Sequence, residues 1–190
     1  FLKTRPIHLT FFVTRKCNAQ CPFCFYLKSS GSKVSHEELS LNEIQKVSKS
    51  LGSLLWLAFS GGEIYLRDDL AEISKVFYKN NKPAIMLYPT NGLLPELINE
   101  TTEEILKHCK KSVIAVKLSI DGLKEAHDKL RNTPGSFDKT MRTYNLLGRL
   151  LNKYPNFELG VNTVFCSENQ DSMDRIIDFV SGLKNIKTHT

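Results

Sequence analysis

The 190-residue sequence predicts an α/β protein, specifically an incomplete parallel (β/α) barrel in which short strands alternate with amphipathic helices. Short apolar or β-branched segments recur at intervals of about 25 to 45 residues, with helical periodicity between them. Strands joined in this way pair in parallel through right-handed crossovers. Small or polar residues also follow every predicted strand, and parallel α/β folds bind ligands at that end of their strands.

The predicted strands are short and rich in apolar residues, and they cover residues 8–13, 54–59, 84–88, 113–120 and 157–165. Residues 186–190 resemble the start of a sixth strand, with nothing after it. We therefore expect about six strands rather than a closed barrel of eight. Because the sequence begins at Phe1 rather than Met, we expect one core domain over residues 1–190 that is truncated at both ends.

Helices are predicted where apolar residues recur at helical spacing. Ser40 and Glu43 form a capping-box pattern ahead of a helix over 41–51. A second such pattern, Thr101 with Glu104, predicts a helix start at that point. The remaining predicted helices cover residues 69–78, 137–151 and 173–183.

Composition limits the classes of function. Hydrophobic residues make up 41% and charged residues 24%, which is typical of a folded globular domain. The net charge is +6, but Lys and Arg are interleaved with Asp and Glu, which favours a solvated surface over a nucleic-acid interface. No apolar run approaches the roughly 20 residues that span a bilayer, and no signal peptide is recognisable. Close, odd-numbered cysteines indicate a metal site in a reducing compartment, so we expect a cytoplasmic protein.

Cys17, Cys21 and Cys24 form a C-x₃-C-x₂-C motif on the loop after the first strand. Thiolates favour zinc or iron–sulfur clusters. A structural zinc site closes with four ligands, and the polar stretch that separates His36 from the motif is unlike a zinc loop. Three cysteines on one loop suit a 4Fe–4S cluster with one iron left free to bind a small molecule.

Two further motifs accompany the cysteines: Gly61-Gly62-Glu63 after the second strand, and Ser119-Ile120-Asp121-Gly122 at the end of the fourth. Together with an aromatic residue before the last cysteine, they closely resemble the radical S-adenosylmethionine superfamily over essentially the whole chain. The resemblance implies that the three cysteines ligate a 4Fe–4S cluster, whose free iron chelates the amino and carboxylate groups of S-adenosylmethionine.

The same resemblance implies positions for the rest of the cofactor. Phe23 matches a position near the adenine, and Gly61, Gly62 and Glu63 match the segment that hydrogen-bonds the methionine amino group. Ser119 and Asp121 match ligands of the carboxylate or ribose, and Asn162 matches a ribose or adenine contact. Arg131 is predicted either to neutralise the cofactor carboxylate or to have a surface or helix-end role. No side chain is assigned a catalytic role.

The segment from Asp121 to Arg131, followed by Gly135-Ser136-Phe137, is similar to the SPASM-type branch of peptide-modifying and cofactor-maturing enzymes. The resemblance implies that an external donor of the flavodoxin or ferredoxin type reduces the cluster. Cleavage of S-adenosylmethionine then gives a 5′-deoxyadenosyl radical, which takes hydrogen from a peptide or a small-molecule cofactor precursor. Two alternatives stay open: a non-catalytic iron–sulfur or zinc module for electron transfer or protein interaction, and an inactive relative that keeps the scaffold.

Other reactive residues are assigned structural roles. Cys109 is predicted to be buried, Cys166 to be incidental, and His127 to pack at a helix start. Lys117 points to the ligand side of the sheet if strand alternation with Ser119 holds.

Overall fold

The computed structural model describes residues 5–28 and 38–190, and its strands form one open sheet with the order β1-β2-β3-β4-β5-β6. All neighbouring strands are parallel. The strands are β1 His8–Thr14, β2 Trp56–Gly61, β3 Ile85–Thr90, β4 Val113–Ser119, β5 Phe157–Asn162 and β6 Thr188–His189. The prediction of an incomplete parallel barrel with about six strands is confirmed.

The helices lie between the strands in sequence. They are α1 Phe25–Lys28, α2 Leu41–Leu51, α3 Leu70–Asn81, α4 Pro95–His108, α5 Glu125–Leu130, α6 Ser136–Leu150 and α7 Met173–Ser181. The predicted capping box at the start of α2 is present: Glu43 Oε2 accepts from Ser40 N at 2.8 Å, while Ser40 Oγ accepts from Glu43 N. Within the described residues, no helix is both long and apolar enough to cross a bilayer.

The predicted start of α4 at Thr101 is wrong, because the helix begins six residues earlier, at Pro95. Proline suits the first helical position, since its φ is fixed and the missing N–H has no partner there anyway. The buried face of α4 includes Pro95 itself and Ile98, both ahead of Thr101. Thr102 is a buried residue inside the helix, and its hydroxyl lies 2.9 Å from the hydroxyl of Tyr65.

The predicted fifth strand is also too long at its end, because β5 stops at Asn162 rather than continuing to Phe165. The chain leaves the sheet there, and Val164 N donates instead to the carboxylate of Asp121 at 2.8 Å. Phe165, which the apolar pattern placed in the strand, is 68% exposed.

The hydrophobic core lies between the sheet and the helices that cover one of its faces. Strand side chains alternate between this face and the other: Met86 and Tyr88 of β3 are buried in the core, while Ile85 and Leu87 are half-buried on the opposite face. Phe59, Phe77 and Tyr88 pack together, with the rings of Phe59 and Tyr88 centred 4.9 Å apart. Each fully buried side chain of this size contributes about 1.5–3 kcal/mol. The core thus holds the sheet rigidly and leaves its other face and carboxyl edge for a ligand.

The end of β1 departs from regular pairing. Phe12 pairs with Ser60, but Thr14 pairs with Gly61, so Val13 is an extra residue on the β1 side. Such a bulge bends a strand and changes the direction of the chain that follows it. The loop that carries the three cysteines, residues 15–24, starts at this bend.

Candidate functional site

A cavity of about 310 Å³ opens at the carboxyl edge of the sheet, and the residues that line it come from the segments after β1 to β5. This volume lies within the range of small-molecule sites, about 300–1,000 Å³. The cavity brings together most of the site residues predicted from the sequence: Cys21, Phe23, Cys24, Gly61, Gly62, Glu63, Ser119, Arg131 and Asn162. Cys17 and Asp121 are the two predicted residues that do not line it.

The cysteine loop, residues 15–24, places three thiols beside this cavity. Cys24 N donates to Cys21 O at 3.0 Å, which closes a turn with Phe23 inside it. All three cysteines are half-buried and none forms a disulfide. Burial raises the pKa of the Cys17 and Cys21 thiols, so both keep their protons at neutral pH until a metal displaces them.

These thiols fit an iron–sulfur cluster by their chemistry and placement. Soft sulfur ligands on one short loop are typical of such clusters, in which each of the three cysteines would bind a different iron atom. The ligands therefore need not converge on one point, and no group of three His, Cys, Asp or Glu side chains is arranged around a single ion in residues 5–28 and 38–190. His36, considered above as a fourth zinc ligand, lies outside the described residues.

The Gly61-Gly62 pair packs directly against the backbone of the β1 end and the cysteine loop. Gly62 N donates to Thr14 O, and Glu63 N donates to Lys16 O, both at 2.9 Å. A Cβ at Gly61 would lie 2.3 Å from Thr14 O, and one at Gly62 would lie 2.1 Å from Lys16 O. Gly61 also has a φ of +133°. Any other residue here would push the cysteine loop away from β2.

Glu63 is a buried carboxylic acid on the cavity wall, with only 1% of its surface exposed. Its carboxylate accepts from Thr90 Oγ1 at 2.9 Å and from Asn91 N at 2.7 Å. Burial raises the pKa of Glu63 to about 7, although these hydrogen bonds oppose the change. A cation that entered the cavity would find an acid ready to ionise beside it.

Asn91 joins the cysteine loop to this acid. Its side-chain Nδ2 donates to Asn18 Oδ1 at 2.7 Å and lies 3.9 Å from Cys17 Sγ, while its backbone N donates to Glu63. The sequence marked Thr90-Asn91-Gly92 as a polar strand end and assigned it no role. The available signal was an asparagine immediately after a buried strand.

Asp121 is completely buried below the cavity and is paired with Arg131. Its Oδ2 accepts from Arg131 Nε at 2.8 Å and Nη2 at 2.6 Å, and its Oδ1 accepts from Val164 N. Both carboxylate oxygens are therefore used within the protein. Arg131, by contrast, lines the cavity. The ion pair thus holds a guanidinium at the cavity wall.

The residues between Asp121 and Phe137 form one continuous network. His127 is fully buried, its Nδ1 accepts from Asp121 N at 3.2 Å, and its ring packs edge-on against Phe137 at 5.8 Å. The packing role predicted for His127 is confirmed. Asp128 caps the start of α6 by accepting from Gly135 N, Ser136 Oγ and Phe137 N. The motif therefore fixes the position of Arg131 from both sides.

Ser119 and Asn162 are the last residues of β4 and β5 and pair in register. Because parallel neighbours in register place their side chains on the same face, the two polar groups sit side by side at the cavity wall. Cys109 is fully buried, as predicted, and Cys166 lies outside the cavity.

A parallel sheet with a cysteine loop and a Gly-Gly-Glu segment at one cavity defines a domain for a metal cluster and a small organic cofactor. Residues 11–180 match the model of the radical SAM superfamily, and the chain belongs to that superfamily. The match confirms the predicted superfamily, whose cofactors are an iron–sulfur cluster and S-adenosylmethionine.

The chain resembles several curated relatives. It is 34% identical to the antilisterial bacteriocin subtilosin biosynthesis protein AlbA of Bacillus subtilis over 145 residues, which are 75% of this chain and 30% of the relative. It is 33% identical to the Fe-coproporphyrin III synthase of Methanosarcina barkeri over 133 residues, 68% of this chain and 31% of the relative. The chain therefore spans about a third of the length of these relatives.

Solved structures show the same fold. SuiB of Streptococcus suis bound to precursor peptide SuiA superposes with a TM-score of 0.72 and 18% identity, covering 98% of this chain and 39% of that chain. The anSMEcpe structure with bound AdoMet gives a TM-score of 0.70 and 21% identity, covering 96% of this chain and 50% of that chain.

Proposed function

We propose that residues 1–190 are the core domain of a radical SAM enzyme, in which Cys17, Cys21 and Cys24 bind a 4Fe–4S cluster and the adjoining cavity holds S-adenosylmethionine. The observation that carries this proposal is the placement of cysteine thiols, Glu63 and Arg131 around one cavity of about 310 Å³. An acid and a guanidinium on the same cavity wall match the ammonium and carboxylate of an amino acid.

Each of the other predicted residues has its own role in this proposal. Glu63 accepts from the cofactor ammonium, and Arg131 pairs with its carboxylate. Ser119 and Asn162 supply hydroxyl and amide groups for the ribose, and Phe23 lies against the adenine. Asp121 is a positioning residue, because it does not line the cavity and its carboxylate binds Arg131 and Val164 N. Gly61 and Gly62 hold the cysteine loop against β2.

The chemistry that the bound pair supplies is one-electron cleavage of S-adenosylmethionine, which yields methionine and a 5′-deoxyadenosyl radical able to take hydrogen from a substrate. The chain itself binds, orients and shields. We propose that the electron comes from an external flavodoxin- or ferredoxin-type donor. The setting that suits five cysteines without a disulfide is the reducing cytoplasm.

We propose a peptide or protein as the substrate. Support comes from relatives in sequence and fold such as AlbA, the sporulation killing factor maturation protein SkfB of Bacillus subtilis at 29% identity, and SuiB with its precursor peptide. A tetrapyrrole cofactor precursor is the second candidate. It is favoured by the 33% identity to Fe-coproporphyrin III synthase, which is almost as high as that to AlbA.

Anaerobic reconstitution tests the proposal directly. The protein is loaded with iron and sulfide, reduced with dithionite and incubated with S-adenosylmethionine, and 5′-deoxyadenosine is measured by chromatography. We expect a brown protein with four irons per chain at this site, as a 4Fe–4S cluster requires, and steady formation of 5′-deoxyadenosine. A colourless protein that binds only zinc, or an intact cluster without cleavage, would contradict it.

A further inference from the structure

Lys117 lies on the same face of β4 as the cavity, one row below it. Ser119, two residues further along the strand, lines the cavity, and side chains two apart in a strand share a face. Lys117 pairs in register with Pro89 of β3 and Gly160 of β5. It is only 9% exposed. The alternation with Ser119 that the sequence required is therefore present.

The neighbouring strand leaves room for this side chain. A Cβ at Gly160 would lie 2.7 Å from Lys117 Cδ and 2.8 Å from its Nζ, so the glycine leaves the space in which the lysine crosses β5. Beyond β5, Nζ donates to Thr188 Oγ1 and, at 3.2 Å, to Thr190 Oγ1. Two hydroxyl groups thus surround the ammonium on the β6 side.

Thr190 brings the ammonium to the level of the cavity. Its N donates to Val161 O at 3.0 Å and its O accepts from Thr163 N at 2.9 Å, so it lies beside Asn162. Asn162 is part of the cavity wall. The ammonium therefore sits next to the cavity rather than behind the core.

The charge of Lys117 is not neutralised by the protein that surrounds it. No carboxylate in the described parts of the chain lies within ion-pair distance of its Nζ. The acid that acts on it, Glu158, forms its ion pair with Lys187 instead. Hydroxyl groups orient an ammonium without cancelling its charge. Burial consequently lowers the pKa of Lys117.

We propose that Lys117 is a substrate-binding residue that takes a carboxylate group of the molecule on which this enzyme acts. The proposal rests on the proposed function, which places S-adenosylmethionine in the cavity above. A carboxylate suits the position, because one ammonium balances its single charge. The hydroxyls of Thr188 and Thr190 are free to donate to its second oxygen while they accept from Nζ.

A purely structural role makes a different prediction. If Lys117 only ties β6 to β4 through the threonine hydroxyls, an added anion has no site, and removal of the ammonium changes stability alone. If Lys117 belongs to the cofactor site instead, its removal weakens binding of S-adenosylmethionine. These are the two outcomes that a test must separate from substrate binding.

The test is equilibrium dialysis of the reconstituted, S-adenosylmethionine-saturated protein against radiolabelled glutarate, with glutaramide as the neutral analogue. A second arm uses a glycine pentapeptide with a central glutamate, blocked at both ends, and its glutamine counterpart. Lys117→Met is compared with Lys184→Met, which removes the same charge from an exposed position after α7. Cleavage of S-adenosylmethionine by the unaltered protein is measured on the same sample.

We expect one molecule of an acidic probe, glutarate or the glutamate peptide, to bind per chain in a saturable way. Lys117→Met should weaken this binding at least about tenfold and Lys184→Met should leave it unchanged. The neutral probes should not bind. Binding of glutarate alone assigns a small acid as the substrate, and binding of the glutamate peptide alone assigns an acidic peptide. Equal affinities of Lys117→Met and the unaltered protein would overturn the proposal, as would no saturable binding while cofactor cleavage is intact. Loss of cofactor affinity in Lys117→Met would also overturn it. Failure of cleavage in the unaltered protein counts against the proposed function instead.

Discussion

The cysteine loop and the two buried carboxylates, Glu63 and Asp121, are neighbours that differ in burial and in hydrogen bonding. The three cysteines are half-buried and form no disulfide, and Asn91 Nδ2 joins the loop that carries them to the sheet by donating to Asn18 Oδ1. Glu63 and Asp121, in contrast, are almost wholly buried, and each carboxylate accepts hydrogen bonds from side chains and backbone on other elements. The carboxylates already have their hydrogen-bond partners within the protein, whereas the thiols would bind the iron of a cluster.

This difference separates binding from stability. Buried, fully bonded acids couple distant segments, so a change there disturbs the fold itself. A half-exposed thiol contributes little to folding, so a change there removes function and leaves the fold. The predictions below test that separation.

The largest expected effect is the loss of activity in Cys21→Ser. A hydroxyl is a poor ligand for cluster iron, so we expect cluster loading and formation of 5′-deoxyadenosine to be abolished. The free energy of unfolding of the cluster-free protein should change by less than about 1 kcal/mol. Iron analysis, product assay and urea denaturation measure these. Cys166→Ser, at a half-buried cysteine outside the cavity, should change none of these three quantities.

Asp121→Asn is expected to have the opposite signature, a large loss of stability. It leaves the buried guanidinium of Arg131 without a counter-charge, which costs about 3–5 kcal/mol. Urea denaturation measures this loss. The matched control is Glu96→Gln, which breaks the exposed ion pair with Arg142 and should cost no more than about 1 kcal/mol. Similar costs for the two variants would mean that the Asp121 pair is not the structural link described here.

Glu63→Gln should remove a pH dependence of stability. Glu63 titrates near pH 7 in the folded state and near its ordinary value of 4.5 when unfolded, so the folded state holds the proton more tightly. The native protein should therefore lose stability relative to Glu63→Gln as pH rises from about 4.5 to 7, by about 3 kcal/mol. Urea denaturation of both proteins at pH 5 and pH 8 tests this. A difference that stays constant or grows in the other direction contradicts a buried acid at this position.

Gly62→Ala should show that the two regions meet through backbone contact. The added Cβ would lie 2.1 Å from Lys16 O, so the cysteine loop must move, at a cost of about 1–3 kcal/mol. Cluster loading should fall as well, because the displaced loop carries Cys17. Gly182→Ala, where the nearest atom would lie 3.3 Å from the new Cβ, serves as the control; it should cost less stability than Gly62→Ala and leave cluster loading unchanged. Unaltered cluster loading in Gly62→Ala would separate the two regions.

The sequence predicted the fold well because its strongest signals are local. Apolar strands, the capping box before α2 and the alternating order of elements depend on near neighbours, and the structure confirms each of them. The start of α4 was missed because the Thr101–Glu104 pattern looks the same inside a helix as at its start. Its true beginning depends on Pro95, which was given no weight.

The sequence predicted which residues belong to the site better than it predicted the contacts between them. Motif residues were placed at strand ends, and most of them line the cavity. What remained hidden were the long-range pairings. The family resemblance implies a cofactor-ligand role for Asp121, and the sequence does not show that Arg131, ten residues later, binds its carboxylate. Asn91 was noticed but unassigned, since its partners lie 28 and 73 residues away.

The contact between Asn91 and Asn18 also bears on when, during synthesis of the chain, the cysteine loop completes its docking. The cysteine loop is translated early, but its side-chain contact to the sheet spans 73 residues and involves a residue that follows β3. Chains fold as their later segments emerge from the ribosome, so this side-chain contact waits until β3 has been made and has paired. The nascent chain therefore carries its three cysteines before the scaffold around them is complete. Delivery of iron and sulfide by the cell is best matched to a late stage of synthesis, after Asn91 has joined the loop to the sheet.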